Sequence, residues 1–342
     1  MIWRSKAPFR LGLAGGGTDV SPYSDLYGGA ILNATISLYA HSSIEPIAEP
    51  KIIFDSIDQQ KTLVFDVGDY VKVDQGLGLQ CGLYNRLLKE KYIGQQGFRL
   101  TTSMDVPAGS GLGTSSTLMV SMLKAFSEML NIPFGDYDLA HLAFEIERID
   151  LGLAGGKQDQ YAATFGGVNF MEFNKDDQVI VNPLRIKYEY INELENNLIL
   201  YFTSSSRSSS QIITEQQKNV SDKKASSIEA MHQLKEQSRM MKNALLKGRL
   251  HEIGEILDFG FQQKKKMADN ISNDRLDEIY EAAKKAGASG GKISGAGGGG
   301  FMFFYCPGNS RYQVLKTLEQ FGGYFLKYQF TPQGARSWKM NI

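Results

Sequence analysis

One segment that combines glycines with hydroxyl side chains has the residue types needed to bind a phosphate. It reads Pro107-Ala108-Gly109-Ser110-Gly111-Leu112-Gly113-Thr114-Ser115-Ser116, and apolar residues at helical spacing follow it. A glycine-rich turn lets backbone N–H groups approach an anion, and a helix N-terminus adds free N–H groups and a positive dipole end. The hydroxyls add donors or ligands for Mg²⁺. The segment predicts a phosphate-binding loop; the alternative is a flexible loop whose Ser or Thr caps the helix.

The spacing of the glycines excludes two common nucleotide-binding loops. A Walker A loop requires G-x-x-x-x-G-K-[ST], whereas residues 152–157 and 287–292 have another spacing and lack the hydroxyl. Residues 12–17 do not form G-x-G-x-x-G, so a Rossmann dinucleotide site is poorly supported.

Three motifs, taken in order along the chain, resemble those of the GHMP kinase superfamily. The first is Ala7-Pro8-Phe9-Arg10, followed by an apolar run and a glycine-rich turn. The second is the segment from Pro107 to Ser115, with Thr114 in place of the first Ser of the family pattern. The third is Lys292-Ile293-Ser294-Gly295-Ala296-Gly297-Gly298-Gly299. The resemblance covers nearly the whole chain and implies an ATP-dependent small-molecule kinase.

The resemblance also implies catalytic roles. Gln158-Asp159-Gln160-Tyr161 is similar to the galactokinase segment that carries the catalytic aspartate. Asp159 is therefore expected to accept the proton of the substrate hydroxyl, with Arg10 beside it to keep it ionised. Without the resemblance, a structural ion pair between these two residues is the simpler interpretation. The expected ATP phosphate-binding residues are Pro107, Gly109, Ser110, Gly111, Leu112, Gly113, Thr114, Ser115 and Ser116.

A metal site follows from the same resemblance. Glu147-Arg148 is similar to a pair in mevalonate kinase whose glutamate holds Mg²⁺, and Ser115 is expected to be a second ligand. The spacing from Glu147 to Asp159 is one residue longer here, so Glu145 is an alternative ligand. ATP and Mg²⁺ are the implied phosphate donor and metal.

The turn after the first strand bears on the substrate. Residues 14–23 keep the Thr-Asp of the galactokinase turn, which implies a sugar phosphorylated on its anomeric hydroxyl; Gly16 and Gly17 replace the Glu and His, which argues against galactose. The turn closely resembles that of the D-glycero-D-manno-heptose 7-phosphate kinases, which make the 1,7-bisphosphate for nucleotide-activated heptose. Fucose kinases share a similar turn, so an L-fucose or other sugar 1-kinase is the alternative. The expected substrate-binding residues are Gly15, Gly16, Gly17, Thr18, Asp19, Lys157, Arg207 and Lys292.

Two further readings belong to other functional classes. A non-catalytic sugar or ATP sensor on the same fold is expected to lack active-site residues, and none is obviously missing here. A diphosphate decarboxylase is disfavoured by Thr18-Asp19.

Apolar spacing places the elements that must hold these residues. Strands are predicted over residues 30–40, 52–54, 62–66, 98–104, 167–173, 198–203 and 301–305, and helices over 114–130, 139–149, 221–246 and 273–286. Short turns join the early strands, which predicts an α+β protein with a mixed or antiparallel sheet. The resemblance implies a two-domain GHMP kinase fold: an N-terminal domain like ribosomal protein S5 domain 2 over 1–185 and a ferredoxin-like C-terminal domain over 186–342.

Composition excludes several classes of protein. The 37 Lys plus Arg balance 37 Asp plus Glu, which argues against a nucleic-acid partner. No apolar run reaches the ~18 residues of a membrane span, and the start lacks the apolar segment of a signal peptide. Two cysteines suit a reduced cytoplasm. The run Lys264-Lys265-Lys266 is expected on a solvated helix face, with anion binding as the alternative. Monomer and homodimer both stay open.

Overall fold

A computed structural model describes residues 1–73, 76–204 and 209–341, and alternating helices and strands run through all three ranges. In chain order they are β1 (Ile2–Ala14), α1 (Tyr23–Tyr27), β2 (Gly29–Pro46), β3 (Lys51–Ser56), β4 (Lys61–Asp66), α2 (Gly78–Lys89), β5 (Phe98–Met104), α3 (Thr114–Leu130), α4 (Asp136–Glu145), a π-helical turn (Ile146–Asp150), α5 (Gln158–Phe165), β6 (Val168–Phe173), β7 (Val179–Pro183), α6 (Tyr188–Asn197), β8 (Leu198–Phe202), α7 (Ser209–Ser221), α8 (Ala225–Lys247), α9 (Ile253–Lys264), α10 (Asp274–Lys285), β9 (Gly290–Ile293), β10 (Phe301–Tyr305), α11 (Ser310–Leu318), β11 (Tyr324–Leu326) and β12 (Arg336–Met340).

The larger sheet is built around two long strands. Its order is β12-β1-β2-β5-β3-β4, with β6 and β7 added beside the first half of β2. The β3–β5 pair is parallel and the other described pairs are antiparallel, which confirms the predicted mixed sheet. From Ala7 to Ala14 β1 is buried without interruption, because α3, α5 and α8 all contact it. The continuous apolar sequence of β1 is therefore typical of a strand that is buried on both faces.

The smaller sheet has the order β11-β8-β10-β9, and its described pairs are antiparallel. α9 packs on β9, and α10 joins it in a second core in which the rings of Phe261 and Tyr280 lie 4.7 Å apart. This sheet positions α9 and the glycine-rich segment between β9 and β10, both of which reach the site.

The last strand returns to the first sheet. β12 pairs with β1 in the register Ile2 to Met340. The N-terminal strand is thus held between β2 and the C-terminal end of the chain. The division of the chain at residue 185 stays a prediction.

All seven predicted strands fall within observed strands or extend one residue beyond them, and the helices over 114–130 and 273–286 are confirmed. The predicted helix over 221–246 is confirmed as α8, which begins at Ala225, four residues later than predicted. The preceding helix α7, which ends at Ser221, was not predicted; Lys223, between the two helices, has a positive φ of 54°. The described helices include none long and apolar enough to cross a bilayer.

Candidate active site

Three glycine-rich segments meet at one cleft of about 390 Å³. They are the turn after β1, the loop before α3 and the segment between β9 and β10, and they come from widely separated parts of the sequence. The cleft is also lined by Arg10, Asp159, Lys264 and Lys292. It therefore combines the predicted phosphate loop, the predicted catalytic pair and several basic groups.

The third glycine segment braces the phosphate loop. Ser294 donates its hydroxyl hydrogen bond to the Gly111 carbonyl at 2.8 Å, and the Phe301 N–H donates to the Ser110 carbonyl at 2.9 Å. A Cβ on Gly111 would lie 2.5 Å from the Ser294 oxygen, so the two backbones meet at a distance that only glycine permits. Two motifs far apart in the sequence thus form one rigid loop pair.

The hydroxyls after the glycines do not cap α3. The residue that precedes the helix is Gly113, and no side chain accepts a hydrogen bond there. Thr114 Oγ1 accepts the Gly109 N–H at 3.4 Å, whereas Ser115 donates to Glu147 and Ser116 accepts from Gln160 at 3.0 Å. The start of α3 therefore has no side-chain cap, and its first residues Thr114 and Ser115 line the cleft, as anion binding at a helix N-terminus requires.

The predicted phosphate-loop residues differ in their exposure to the cleft. Gly109, Gly111, Gly113, Thr114 and Ser115 line it, whereas Leu112 packs in the main core. The remaining three lie outside the lining: Ser110 and Ser116, both buried, and the exposed Pro107.

A π-helical turn places Glu147 in the site. Its carboxylate is fully buried; Oε1 accepts from Ser115 at 2.8 Å and Oε2 from Gln160 at 2.6 Å. Neither glutamate lines the cleft itself, but Glu147 contacts the cleft-lining Ser115, whereas Glu145 pairs with Arg86 at 2.7 Å. Because Glu147, and not Glu145, contacts Ser115, the geometry favours Glu147 as the metal ligand.

Arg86 on α2 holds both ends of this π turn. Its Nη2 contacts Glu145 at 2.7 Å, just before the turn, and its Nη1 contacts Asp150 at 3.0 Å, at the end of the turn. The Arg86 side chain is 15% exposed, so these contacts are partly shielded from water. The guanidinium fixes the segment from which Glu147 projects.

Arg10 and Asp159 form the predicted ion pair. Nη2 of Arg10 lies 2.6 Å from Oδ1 of Asp159, Nε donates to the same oxygen at 2.7 Å, and Nη1 donates to the Gly111 carbonyl at 2.8 Å. A Cβ on Gly113 would lie 2.9 Å from Oδ2 of Asp159. The second carboxylate oxygen therefore lies against the phosphate loop, where a transferred phosphoryl group has to arrive.

The turn after β1 divides into supporting and cleft-lining residues. The hydroxyl of Thr18 donates to the Gly15 carbonyl at 2.8 Å and accepts the Ala30 N–H at 3.1 Å. Gly16, Gly17 and Asp19 line the cleft. Thr18 and Gly15 thus shape the turn, while the other three predicted residues are available to a substrate.

Asp19 is a buried carboxylate in the cleft wall. It is 6% exposed, and its Oδ2 accepts the backbone N–H of Gln158 at 2.9 Å. Burial, opposed by this hydrogen bond, raises the pKa of the Asp19 carboxyl. A sugar hydroxyl that donates to this carboxylate would replace the hydrogen bonds lost on burial.

The basic residues of the sequence analysis differ in whether they line the cleft. Lys157 does not reach the cleft, because its ammonium lies 2.5 Å from Asp177 and over the ring of Phe144. Arg207 lies outside the described residues. Lys292 lines the cleft and donates to the Gly12 carbonyl at 2.9 Å. The expectation of a solvated face is wrong for Lys264, which is 3% exposed and lines the cleft.

The polar side chains of the cleft wall that sequence reasoning did not assign to the site include, besides Lys264, those of Arg148, Gln158 and Gln216. Arg148 donates through Nη2 to Ser116 at 3.3 Å and through Nε to the Gly156 carbonyl at 3.3 Å. Gln158 is 6% exposed, and its Nε2 has no hydrogen-bond partner among the described residues. The signal that pointed to Gln158 is its position next to Asp159 at the start of α5.

The donor set around Ser115 suits Mg²⁺. A serine hydroxyl and a buried carboxylate oxygen lie 2.8 Å apart at the start of α3. Mg²⁺ binds hard oxygen ligands and commonly takes only one or two protein groups, with phosphates and water as the others. Among the described residues no cluster of three or more His, Cys, Asp or Glu offers a different metal site.

Two family descriptions match the chain. Residues 81–167 match the GHMP kinases N terminal domain, and residues 241–323 match the GHMP kinases C terminal.

Proteins with similar sequences or structures carry sugar-kinase names. A Campylobacter jejuni protein named D-glycero-alpha-D-manno-heptose 7-phosphate kinase is 46% identical over 98% of this chain and 99% of its own length. A crystal structure of a D-glycero-D-manno-heptose 1-phosphate kinase from Bacteroides thetaiotaomicron has a TM-score of 0.85 and 44% identity, covering 99% of this chain and 100% of that one. The bifunctional fucokinase/GDP-fucose pyrophosphorylase of Arabidopsis thaliana is 27% identical over 94% of this chain and 31% of its own length.

Proposed function

Because this chain belongs to the GHMP kinase family, we propose that it transfers the γ-phosphate of ATP to the anomeric C1 hydroxyl of D-glycero-D-manno-heptose 7-phosphate. At the coarser level the protein is a kinase that phosphorylates a sugar hydroxyl with ATP as the donor. The observation that carries the finer proposal is the Arg10–Asp159 pair beside the phosphate loop, in the same cleft as Asp19 and the open turn at Gly16.

Asp159 is the proposed acceptor of the hydroxyl proton. The anomeric oxygen attacks the γ-phosphorus, the bond from that phosphorus to the β–γ bridging oxygen breaks, ADP leaves, and the proton moves to Oδ2 of Asp159. Arg10 occupies Oδ1, so the carboxylate is oriented and the guanidinium lies beside the group in transfer. Phosphoryl transfer depends mainly on such positioning and charge stabilisation.

The phosphate loop and the Ser115–Glu147 pair are proposed to hold Mg²⁺ and ATP. The backbone of Gly109, Gly111 and Gly113 and the start of α3 cradle the phosphates. Ser115 and Glu147 would hold Mg²⁺, which neutralises charge on the β- and γ-phosphates when bound. Gln160 and Arg148 keep Ser116 and Glu147 in place around this site.

The choice of sugar is supported by the turn and by the relatives. Asp19 offers a buried acceptor for sugar hydroxyls, and two glycines leave room where bulkier side chains would restrict the substrate. The two relatives at 46% and 44% identity are both named as heptose phosphate kinases, but the names differ in the position of the phosphate. Transfer to C1 of the 7-phosphate gives a 1,7-bisphosphate.

A comparison of three sugars tests the proposal. kcat/KM is measured for heptose 7-phosphate, heptose and L-fucose, and the position of the new phosphate is read by phosphorus NMR. We expect heptose 7-phosphate to be preferred and a new phosphate at C1. Equal or better turnover of fucose would overturn the heptose assignment and leave the kinase assignment intact. A phosphate at another carbon would overturn the proposed position.

A further inference from the structure

Two buried lysines border the open space in front of Gly16. Lys264 is the last residue of α9 and Lys292 lies in β9, and they are 3% and 5% exposed. A Cβ placed on Gly16 would lie 3.8 Å from Nζ of Lys292 and 4.0 Å from Nζ of Lys264. Two ammonium groups from different elements therefore converge on one small volume of the cleft.

Among the described residues no carboxylate pairs directly with either ammonium, although Asp19 and Asp159 attract the Lys264 charge at longer range. Lys264 donates to the Gly295 carbonyl and Lys292 to the Gly12 carbonyl, and in the described ranges neither forms an ion pair. Burial lowers the pKa of Lys264 to about 8 and that of Lys292 well below its ordinary value, and the two charges repel each other. Buried charges that are not directly paired are costly. An anion bound between them would remove this cost.

Gly16 leaves this space open for a reason other than backbone conformation. Its neighbours Gly15 and Gly17 have φ values of 80° and 101°, in the left-handed region, but Gly16 does not. A Cβ at Gly16 would make only ordinary contacts with the two lysine nitrogens. The absence of a side chain at Gly16 thus keeps this space open, because any longer residue would project in front of the two ammonium groups.

We propose that this space binds the phosphate group that the sugar substrate already carries, with Lys264 and Lys292 as its two cationic ligands. The inference rests on the proposed function and adds the residues that select a sugar phosphate over a free sugar. The shared chemistry is that of a terminal phosphate group. Its other source is the terminal phosphate of ATP, but the space adjoins the turn of Gly16 and Asp19, the wall assigned to the sugar.

The first test removes one charge. Lys264→Met keeps the length of the apolar stem and removes the ammonium. A hydrogen bond to a charged group contributes an amount that corresponds to about 10- to 150-fold in affinity. We expect the ratio of kcat/KM for heptose 7-phosphate to kcat/KM for unphosphorylated heptose to fall by about that factor, and KM for ATP to stay unchanged. Lys266→Met is the matched control, because Lys266 belongs to the same lysine run but is exposed.

The second test fills the space. Gly16→Glu places a carboxylate where the sugar phosphate is proposed to bind, and Gly16→Gln places a neutral side chain of the same size there. We expect Gly16→Glu to lose more kcat/KM for heptose 7-phosphate than Gly16→Gln, and the ratio of kcat/KM for heptose 7-phosphate to that for unphosphorylated heptose to be lower in Gly16→Glu than in Gly16→Gln. Thermal melting of both variants, compared with wild type, establishes that they are folded.

Three outcomes decide between the sources of the phosphate. Loss confined to the phosphorylated sugar supports the proposal. Equal losses for both sugars, with a raised KM for ATP, would assign the lysines to the ATP phosphate and overturn it. Unchanged preference for the phosphorylated sugar in Lys264→Met and Lys292→Met would also overturn it. Failure of the proposed function is seen separately, because wild-type protein would then show no preference for heptose 7-phosphate over heptose or fucose.

Discussion

Arg10 and Asp159, 149 positions apart in the chain, are joined by two contacts from one guanidinium to one carboxylate oxygen, at 2.6 and 2.7 Å. The third contact of that guanidinium, to the Gly111 carbonyl at 2.8 Å, ties the pair to the phosphate loop. The orientation of Asp159 is therefore fixed relative to the loop before any substrate binds.

Replacement of this carboxylate tests its role as the base. Asp159→Asn keeps the shape and removes the charge, and general acid–base groups contribute about 10²–10⁴-fold to rate. We expect kcat to fall by at least this range, with KM for ATP nearly unchanged, in steady-state assays. Asp136→Asn, an exposed carboxylate in the first turn of α4, is the control. Retention of more than about a tenth of the wild-type kcat would exclude Asp159 as the base.

The metal site is tested at both proposed ligands. Ser115→Ala and Glu147→Gln each remove one hard oxygen ligand, so both variants should require more Mg²⁺ for half-maximal turnover. We expect the melting temperature of Ser115→Ala to stay near that of wild type. Titration of activity with Mg²⁺ at saturating ATP gives the comparison. Full wild-type activity in excess chelator would contradict the assignment.

Asp19 is predicted to bind the sugar and not the nucleotide. Loss of hydrogen bonds to a charged group costs roughly 1.5–3 kcal/mol, so Asp19→Ala should raise KM for the sugar about 10- to 150-fold and leave KM for ATP unchanged. The buried carboxyl has a raised pKa, so the folded state holds its proton more tightly than the unfolded state. Its ionisation therefore lowers stability as pH rises through that pKa. Asp19→Asn should consequently fold at neutral pH, and an unfolded Asp19→Asn would point to a structural role instead.

For the buried lysine Lys264, we predict that the free energy of unfolding depends on pH in the opposite direction to that for Asp19. Its pKa is lowered from 10.5 to about 8, chiefly by burial, with Arg10 adding repulsion and Asp19 and Asp159 opposing it. Between these values the unfolded chain binds more protons, so unfolding free energy should rise with pH. Each unit by which the pKa is lowered corresponds to about 1.4 kcal/mol. Below pH 8, burial of the charged Lys264 is therefore expected to lower the free energy of unfolding by about 3 kcal/mol.

Thermal melting of the unliganded Lys264→Met variant measures the loss of stability that the buried ammonium causes. We expect Lys264→Met to melt above wild type at pH 7 and the difference to shrink toward pH 10. A lower melting temperature at pH 7 would show that the ammonium stabilises the empty cleft.

Arg86 is predicted to act as a positioning residue through the π turn. Arg86→Met breaks its contacts with Glu145 and Asp150, so Glu147 should be held less firmly. We expect stability to fall by about 1.5–3 kcal/mol and the Mg²⁺ concentration for half-maximal turnover to rise, with partial rescue by Arg86→Lys. Arg249→Met, which breaks an exposed pair with Glu252, is the control. A change in melting temperature without a change in Mg²⁺ dependence would assign Arg86 a structural role only.

The sequence by itself determined the chemistry that depends on local spacing. Glycines followed by hydroxyls and a helix specify an anion-binding loop, because the free N–H groups of a helix start lie within a few residues of the turn. The segments around Asp159, Glu147 and Asp19 were found through their resemblance to motifs of the GHMP kinases and not from local spacing. The strands were found from short apolar runs, and the mixed sheet followed from the short turns between them.

Only the tertiary structure decided which lysines reach the cleft. Lys157, two residues from Asp159, turns to Asp177, whereas Lys264 comes from a helix about a hundred residues away and faces Gly16. Side-chain direction at these positions depends on how α9 packs on β9 and on the turn after β1, and no local periodicity reports such contacts. The choice between Glu145 and Glu147 was also tertiary, because a π turn held by Arg86 sets which carboxylate faces Ser115.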